Sequence, residues 1–236
     1  MKNSGFSLVE SLLSLLFFSL ISLFCLEFFG FSRDIFLRIK SSQEAKWAVH
    51  SALDKIKIDL FQGGIGLGEP IALGMLEGIK EDGGGLTIAS AEKSAILREN
   101  IASGETSVPL ENAEGFKKGR EICIFCSSRG EVKVIQSVQE NIIQLSSALT
   151  YSYEKEATQV LLLQKTSIFF DAEKQMLRRK VNSSSPQPLL EEVSAVEWEI
   201  DRVRSLVKLG LSLITDPEKK YETSLLAKNS ALHAVR

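Results

Sequence analysis

Lys2-Asn3-Ser4-Gly5-Phe6-Ser7-Leu8-Val9-Glu10 runs straight into an apolar segment, Ser11 to Leu26, and Glu10 is the one charge between Lys2 and Glu27. As a helix, the stretch from Phe6 to Phe29 rises about 36 Å, enough to cross a hydrocarbon core of roughly 30 Å. Lys2 on the short side and the long downstream chain predict a single pass with the N-terminus in the cytoplasm and the rest exported. A carboxylate inside such a span costs up to ~3 kcal/mol at the centre of a membrane helix and less near an end, so it needs a partner.

A secretory signal peptide carries an apolar core of 7–15 residues followed by a small-residue cleavage site. Here the apolar run is longer, and Phe24-Cys25-Leu26-Glu27-Phe28-Phe29 offers no such site. An uncleaved signal anchor explains hydrophobicity and topology but gives no reason for Gly5, Phe6 and Glu10 to occur together. Gly5-Phe6, then Ser7-Leu8-Val9-Glu10 and a hydrophobic helix, resembles the N-terminal signal of type IV pilins and of the pseudopilins of type II secretion.

That resemblance implies cleavage between Gly5 and Phe6 by a prepilin peptidase, N-methylation of Phe6, and a role for Glu10 in filament assembly. Cleavage would create a partner for Glu10, the α-amino group of Phe6, supplied by a neighbouring subunit. The implied partners are the peptidase, the membrane and other pilins or pseudopilins reached through the helix. The implied location is the cytoplasmic membrane, with a periplasmic or extracellular C-terminal domain, and then a filament or its tip.

Phe31, Ile35 and Ile39, then Val49, Leu53, Ile56 and Leu60, recur at helical spacing, with charges on most other faces. No proline interrupts Phe6 to Phe61, so one long helix is expected, with Gly30 and Lys40-Ser41-Ser42-Gln43 as the places where it could loosen. Gln62-Gly63-Gly64-Ile65-Gly66-Leu67-Gly68-Glu69-Pro70 ends it. Many major pilins carry a proline where this chain has Glu27, which points to a minor pilin or pseudopilin. Leu53 to Gly64, a leucine and basic residues before Asp59 and then an apolar-glycine step, is similar to minor pilins of the PilW type and to J-type pseudopilins.

Beyond Gly83 the chain reads as strands. Runs at 86–89, 121–125, 131–138, 142–145, 158–170, 176–181, 196–201 and 207–213 are separated by turn residues, with a weak last strand at 221–226. Ser183 to Pro188 reads as a loop and Asp216-Pro217-Glu218-Lys219-Lys220 as a charged turn. The expected fold is therefore α+β and pilin-like, with a long helix covering one antiparallel sheet. Its parts are a leader (1–5), a membrane and filament-core helix (6–29), an amphipathic continuation (30–62) and a β-rich globular domain (63–236).

The chain has 236 residues, a net charge of −2 and a pI near 5.9. No global basic field advertises nucleic acid, and none is expected as a partner. Arg178-Arg179-Lys180 reads as a solvated strand face. The glycine-rich run lacks a Gly-Lys-Ser/Thr ending and follows a helix, so it reads as a turn. Cys123-Ile124-Phe125-Cys126 has redox spacing but lies on a strand, where i and i+3 side chains point to opposite faces. Ordinary strand cysteines are expected, or a Cys123–Cys126 bridge where the strand bends. His50 and His233 lie in unrelated contexts, and no set of four zinc ligands stands out. No metal, cofactor or catalytic constellation is expected: the work is assembly. Two rivals belong to other classes, an anchored extracytoplasmic adhesin or binding module that never polymerises, and an anchored redox protein using Cys123 and Cys126.

Overall fold

The computed structural model describes residues 8–227. Its α+β architecture is one long N-terminal helix, α1 (Leu8–Gln62), a short α2 (Gly68–Ala72) and twelve strands. The strands are β1 (Ile79–Asp82), β2 (Gly85–Ile96), β3 (Ser107–Pro109), β4 (Glu121–Cys126), β5 (Arg129–Gln139) and β6 (Ile142–Leu145). They continue with β7 (Gln159–Asp171), β8 (Met176–Val181), β9 (Gln187–Leu190), β10 (Val193–Asp201), β11 (Leu206–Leu213) and β12 (Asp216–Leu226). The chain forms two compact units, Met1–Ser51 and Ala52–Arg236.

In the first unit α1 is continuous through Gly30 and through Lys40 to Gln43. The expected loosening is absent because neither site carries a proline, and a lone glycine costs a helix only about 1 kcal/mol. Phe31, Ile35 and Ile39 are 65%, 41% and 52% exposed, so the apolar spacing there does not translate into burial. In the second unit the last turns of α1 bury Ala52, Ile56 and Leu60 on one stripe.

The strands form two sheets where one was expected. The larger has nine strands in the order β1-β2-β7-β4-β5-β6-β3, with β8 and β9 continuing from β7. β7 is its hub: it pairs with β2 along its length, with β4 through Gln159–Leu163 and with β8 through Thr166–Asp171. Its run Val160-Leu161-Leu162-Leu163 is apolar without alternation because both faces are covered. Val160 and Leu162 join Ile122, Ile124, Leu110 and Tyr153 in one core, while Leu161 and Leu163 join Cys123, Phe125, Leu67 and Ile71 in another.

The smaller sheet, β10-β11-β12, keeps the alternation read from sequence. Val207, Leu209, Leu211 and Leu213 are buried, and Glu197, Glu199, Lys208 and Lys220 occupy the other face. The charged stretch Asp216 to Lys220 is the start of β12, a correction to the expected turn. Ile214 and Thr215 make the reversal, and Lys220 pairs with Glu197 two strands away. Strand propensity missed α2, β1, β3 and β9, all five residues or fewer.

Gly85 shows why this chain needs a glycine where β2 begins to pack beside β7. A Cβ there would sit 2.6 Å from the carbonyl oxygen of Ile168 and 2.8 Å from the Cβ of Phe169. Gly68, by contrast, has open space around it. Gly85→Ala should therefore lower stability by about 1–3 kcal/mol, the usual range for overpacking. Gly68→Ala should change it by less than about 0.5 kcal/mol, as an open surface site does. Thermal unfolding of the two variants side by side checks the contrast, and equal melting temperatures would contradict it.

Candidate functional site

The surface that most distinguishes this protein is the apolar part of α1. Large side chains from Leu8 to Phe29 remain 46–79% exposed. The best 18-residue window of the helix has a mean hydropathy of 2.3 and none of it is buried inside the protein. The helix is thus long and apolar enough to cross a membrane. Glu10 lies in its first turn, where a carboxylate is favoured by the positive end of the helix dipole. Gly5 and Phe6, the two processing residues expected from sequence, lie outside the described residues.

A second feature ties the end of α1 to the larger sheet. Arg179 on β8 donates from Nε to Asp59 Oδ2 and from Nη2 to Oδ1, both at 2.7 Å. Asp59 is only 4% exposed, so this two-pronged geometry offsets the cost of burying its carboxylate. Asp59 is the aspartate of the second sequence motif. Its partner comes from the cluster read as a solvated strand face, and that reading is corrected for two of its three cations. Arg178 is also committed, to Asp171 and to the carbonyl of Pro186. Sequence spacing carries no signal for a pair 120 residues apart.

Cys123 and Cys126 are both free thiols, so the bridge considered from sequence is not formed. Alternation along β4 sends them to opposite faces. Cys123 is buried with Phe125 and Leu163, and burial pushes its thiol up to about 12. Cys126 sits at the hairpin end, where slight burial raises its thiol. The Ser128 and Arg129 backbone N–H groups, the Ser128 hydroxyl and the charge of Arg129 outweigh that and leave it lowered.

Beside it, Glu131 on β5 pins the segment before β7. Its carboxylate accepts the backbone N–H groups of Thr150 and Tyr151 and the hydroxyl of Tyr153, and pairs with Lys133 at 2.9 Å. Burial alone would raise its carboxyl, but these donors bring it below its ordinary value. The same burial, together with the carboxylate, pushes the Tyr153 phenol up. This is a structural clasp. Among the described residues no group of three His, Cys, Asp or Glu side chains is placed to hold a metal ion.

No family model matches this chain. No curated protein matches it either. Among solved structures it is similar over part of its length to the Gp54 tailspike of Acinetobacter baumannii bacteriophage AP22 in complex with A. baumannii capsular saccharide. That match has 15% identity, covers 33% of this chain and 15% of the tailspike, and has a TM-score of 0.30. The tailspike protein gp49 from Pseudomonas phage LKA1 matches at 17% identity over 30% of this chain and 14% of its own, with a TM-score of 0.26. The phage phi92 endosialidase matches at 9% identity over 58% of this chain and 32% of its own, with a TM-score of 0.20. At these scores the likeness carries no argument about fold or activity.

Two outcomes test the local chemistry. Asp59→Ala should cost about 2–3 kcal/mol, less than the 3–5 kcal/mol of a fully buried pair, because Arg179 keeps 27% of its side-chain surface wet. Denaturant unfolding reads this, and a loss below about 0.5 kcal/mol would show that the pair is solvated. In the folded protein a thiol reagent should alkylate Cys126 with a rate midpoint below its ordinary pH 9.0 and leave Cys123 untouched until unfolding. Peptide mapping after alkylation distinguishes the two.

Proposed function

We propose that this chain is a minor pilin or pseudopilin, a structural subunit of a type IV pilus or type II secretion filament that acts in assembly or priming. The observation that carries the reading is one of position. The Gly5-Phe6-…-Glu10 pattern leads into a helix whose first 22 described residues expose fifteen large apolar side chains, while the same helix ends inside a folded β-rich unit. A subunit of this kind waits in the cytoplasmic membrane with its N-terminus inside and is trimmed between Gly5 and Phe6. It then exchanges lipid contacts for those of neighbouring helices.

The physical logic is a swap between two apolar environments. Lipid tails and leucine side chains are similarly greasy, so moving the helix from bilayer to bundle costs little in hydrophobic terms. Direction must then come from something polar. Glu10 supplies it by meeting the methylated α-amine of Phe6 in an adjacent copy, a charge-assisted contact in a low-dielectric setting. The PilW-like step at Leu53 to Gly64 favours a minor subunit, with Asp59 holding the helix end to the β-unit.

N-terminal mass spectrometry of the protein produced with and without a prepilin peptidase tests this directly. The expected product lacks residues 1–5 and carries one methyl group on Phe6. A Glu10→Gln variant should be processed normally yet fail to enter filaments or capture partner subunits. An intact Met1 terminus in the presence of the peptidase would instead support an anchored adhesin that does not polymerise.

A further inference from the structure

The apolar surface of α1 does not stop where a bilayer would. A hydrocarbon core of roughly 30 Å covers about 20 helical residues, which from Leu8 ends near Phe28. Beyond it, in the first unit, Phe31, Ile35, Phe36, Leu37 and Ile39 are 41–65% exposed and Trp47 is 77% exposed. Charges at Arg33, Asp34, Arg38, Lys40, Glu44 and Lys46 are interleaved with them, so this section cannot sit in lipid tails.

Those charges are ordered. At about 100° per residue, Glu27, Asp34 and Arg38, separated by seven and four residues, fall on one narrow strip of α1. Arg33, Lys40 and Glu44, with the same separations, fall on a second strip about 120° around the helix. The first strip reads minus, minus, plus, and the second reads plus, plus, minus. Each residue of the second strip lies six positions after its opposite in the first. The remaining charges of the described part of this unit, Glu10 and Lys46, fall on neither strip. Phe31 and Ile35 flank the first strip, and Phe36, Leu37 and Trp47 flank the second. Within one chain Lys40 and Glu44 approach to 3.8 Å, but both are well exposed, so that contact leaves Glu44 free to accept a second cation.

We propose that these strips are the two halves of a head-to-tail seam between copies of this chain. The Glu27/Asp34/Arg38 strip of one copy packs on the Arg33/Lys40/Glu44 strip of the next, displaced by six residues, or about 9 Å along the axis. The occupant is a second copy because the two strips of this one sequence complement each other at a single offset. The copies are parallel because they share a membrane. Since the two strips are different surfaces about 120° apart, the contact is heterologous and leaves a free strip at each end, which propagates an open helical assembly. This rests on the filament-subunit reading above and adds the register that the juxtamembrane helix imposes.

The test uses the full-length, processed protein in membranes, with Cys25→Ser and Cys126→Ser removing native thiols that could interfere. Ala45→Cys on the first strip and Ser51→Cys on the second, six residues apart, should together give a disulfide-linked pair in membranes and a ladder in assembled filaments under mild oxidation, and either alone should give neither. On that background Arg38→Glu or Glu44→Arg should each lower the crosslinked fraction roughly tenfold, and the two combined should restore it to within about twofold. Residues 38 and 44 face different directions on one helix, so recovery by the double reversal reports contact between copies. Crosslinking through a single cysteine, indifference to the single reversals, or no recovery in the double variant would each overturn the seam. If Glu10→Gln abolishes association while the reversals do nothing, the filament reading stands and the seam falls. An unprocessed N-terminus would remove both.

Discussion

Fifteen large apolar side chains between Leu8 and Phe29 stand exposed on α1. Each is worth about 1.5–3 kcal/mol if removed from water, so the free energy of this protein in solution is dominated by a surface it cannot satisfy alone. What covers that surface, lipid in one state and neighbouring helices in another under the proposed reading, decides where the protein resides and what it does. Among its described residues the β-rich unit carries no apolar span of that kind. Its apolar residues are spent on its own cores, in which Ile122, Ile124, Val160 and Leu162 are fully buried.

The second unit is organised around β7, which pairs with three other strands and is buried on both faces. Residues between β2 and β7 add strands β3 to β6 and a core shared with Val160 and Leu162 of β7, closed by Tyr153 and the Glu131 clasp. Asp59 and Arg179 join the end of α1 to β8 across 120 residues of sequence. A salt bridge of this kind contributes less through its attraction than through what its absence would leave behind, a buried carboxylate without a cation. It therefore ties the helix end to one sheet position rather than adding general stability.

Much of this was legible in the sequence because it depends on local period. The helix was readable from apolar spacing and the lack of proline, and α1 runs to the residue before Gly63-Gly64. Hairpins such as β4–β5 and β7–β8 were readable because alternation and turn residues are local. Misreadings occurred where local chemistry was overruled. Asp216 to Lys220 has turn composition, yet Asp216 pairs with Leu213, Lys220 with Ser212 and the Lys220 side chain with Glu197, so the stretch is the bulged start of a strand. Phe31, Ile35 and Ile39 have the spacing of a packed stripe but remain exposed, because periodicity specifies a face and says nothing of what lies opposite.

The N-terminal motif, the apolar span, the α+β class and the order of charges along α1 are properties of neighbouring residues, and sequence alone determined them. The division into two sheets and the partnership of Asp59 with Arg179 were decided only in three dimensions. The reason is the same in each case. Strand order and cross-sheet contacts depend on loop closures over tens to more than a hundred residues, and no local period in the chain encodes which strand a given strand will meet.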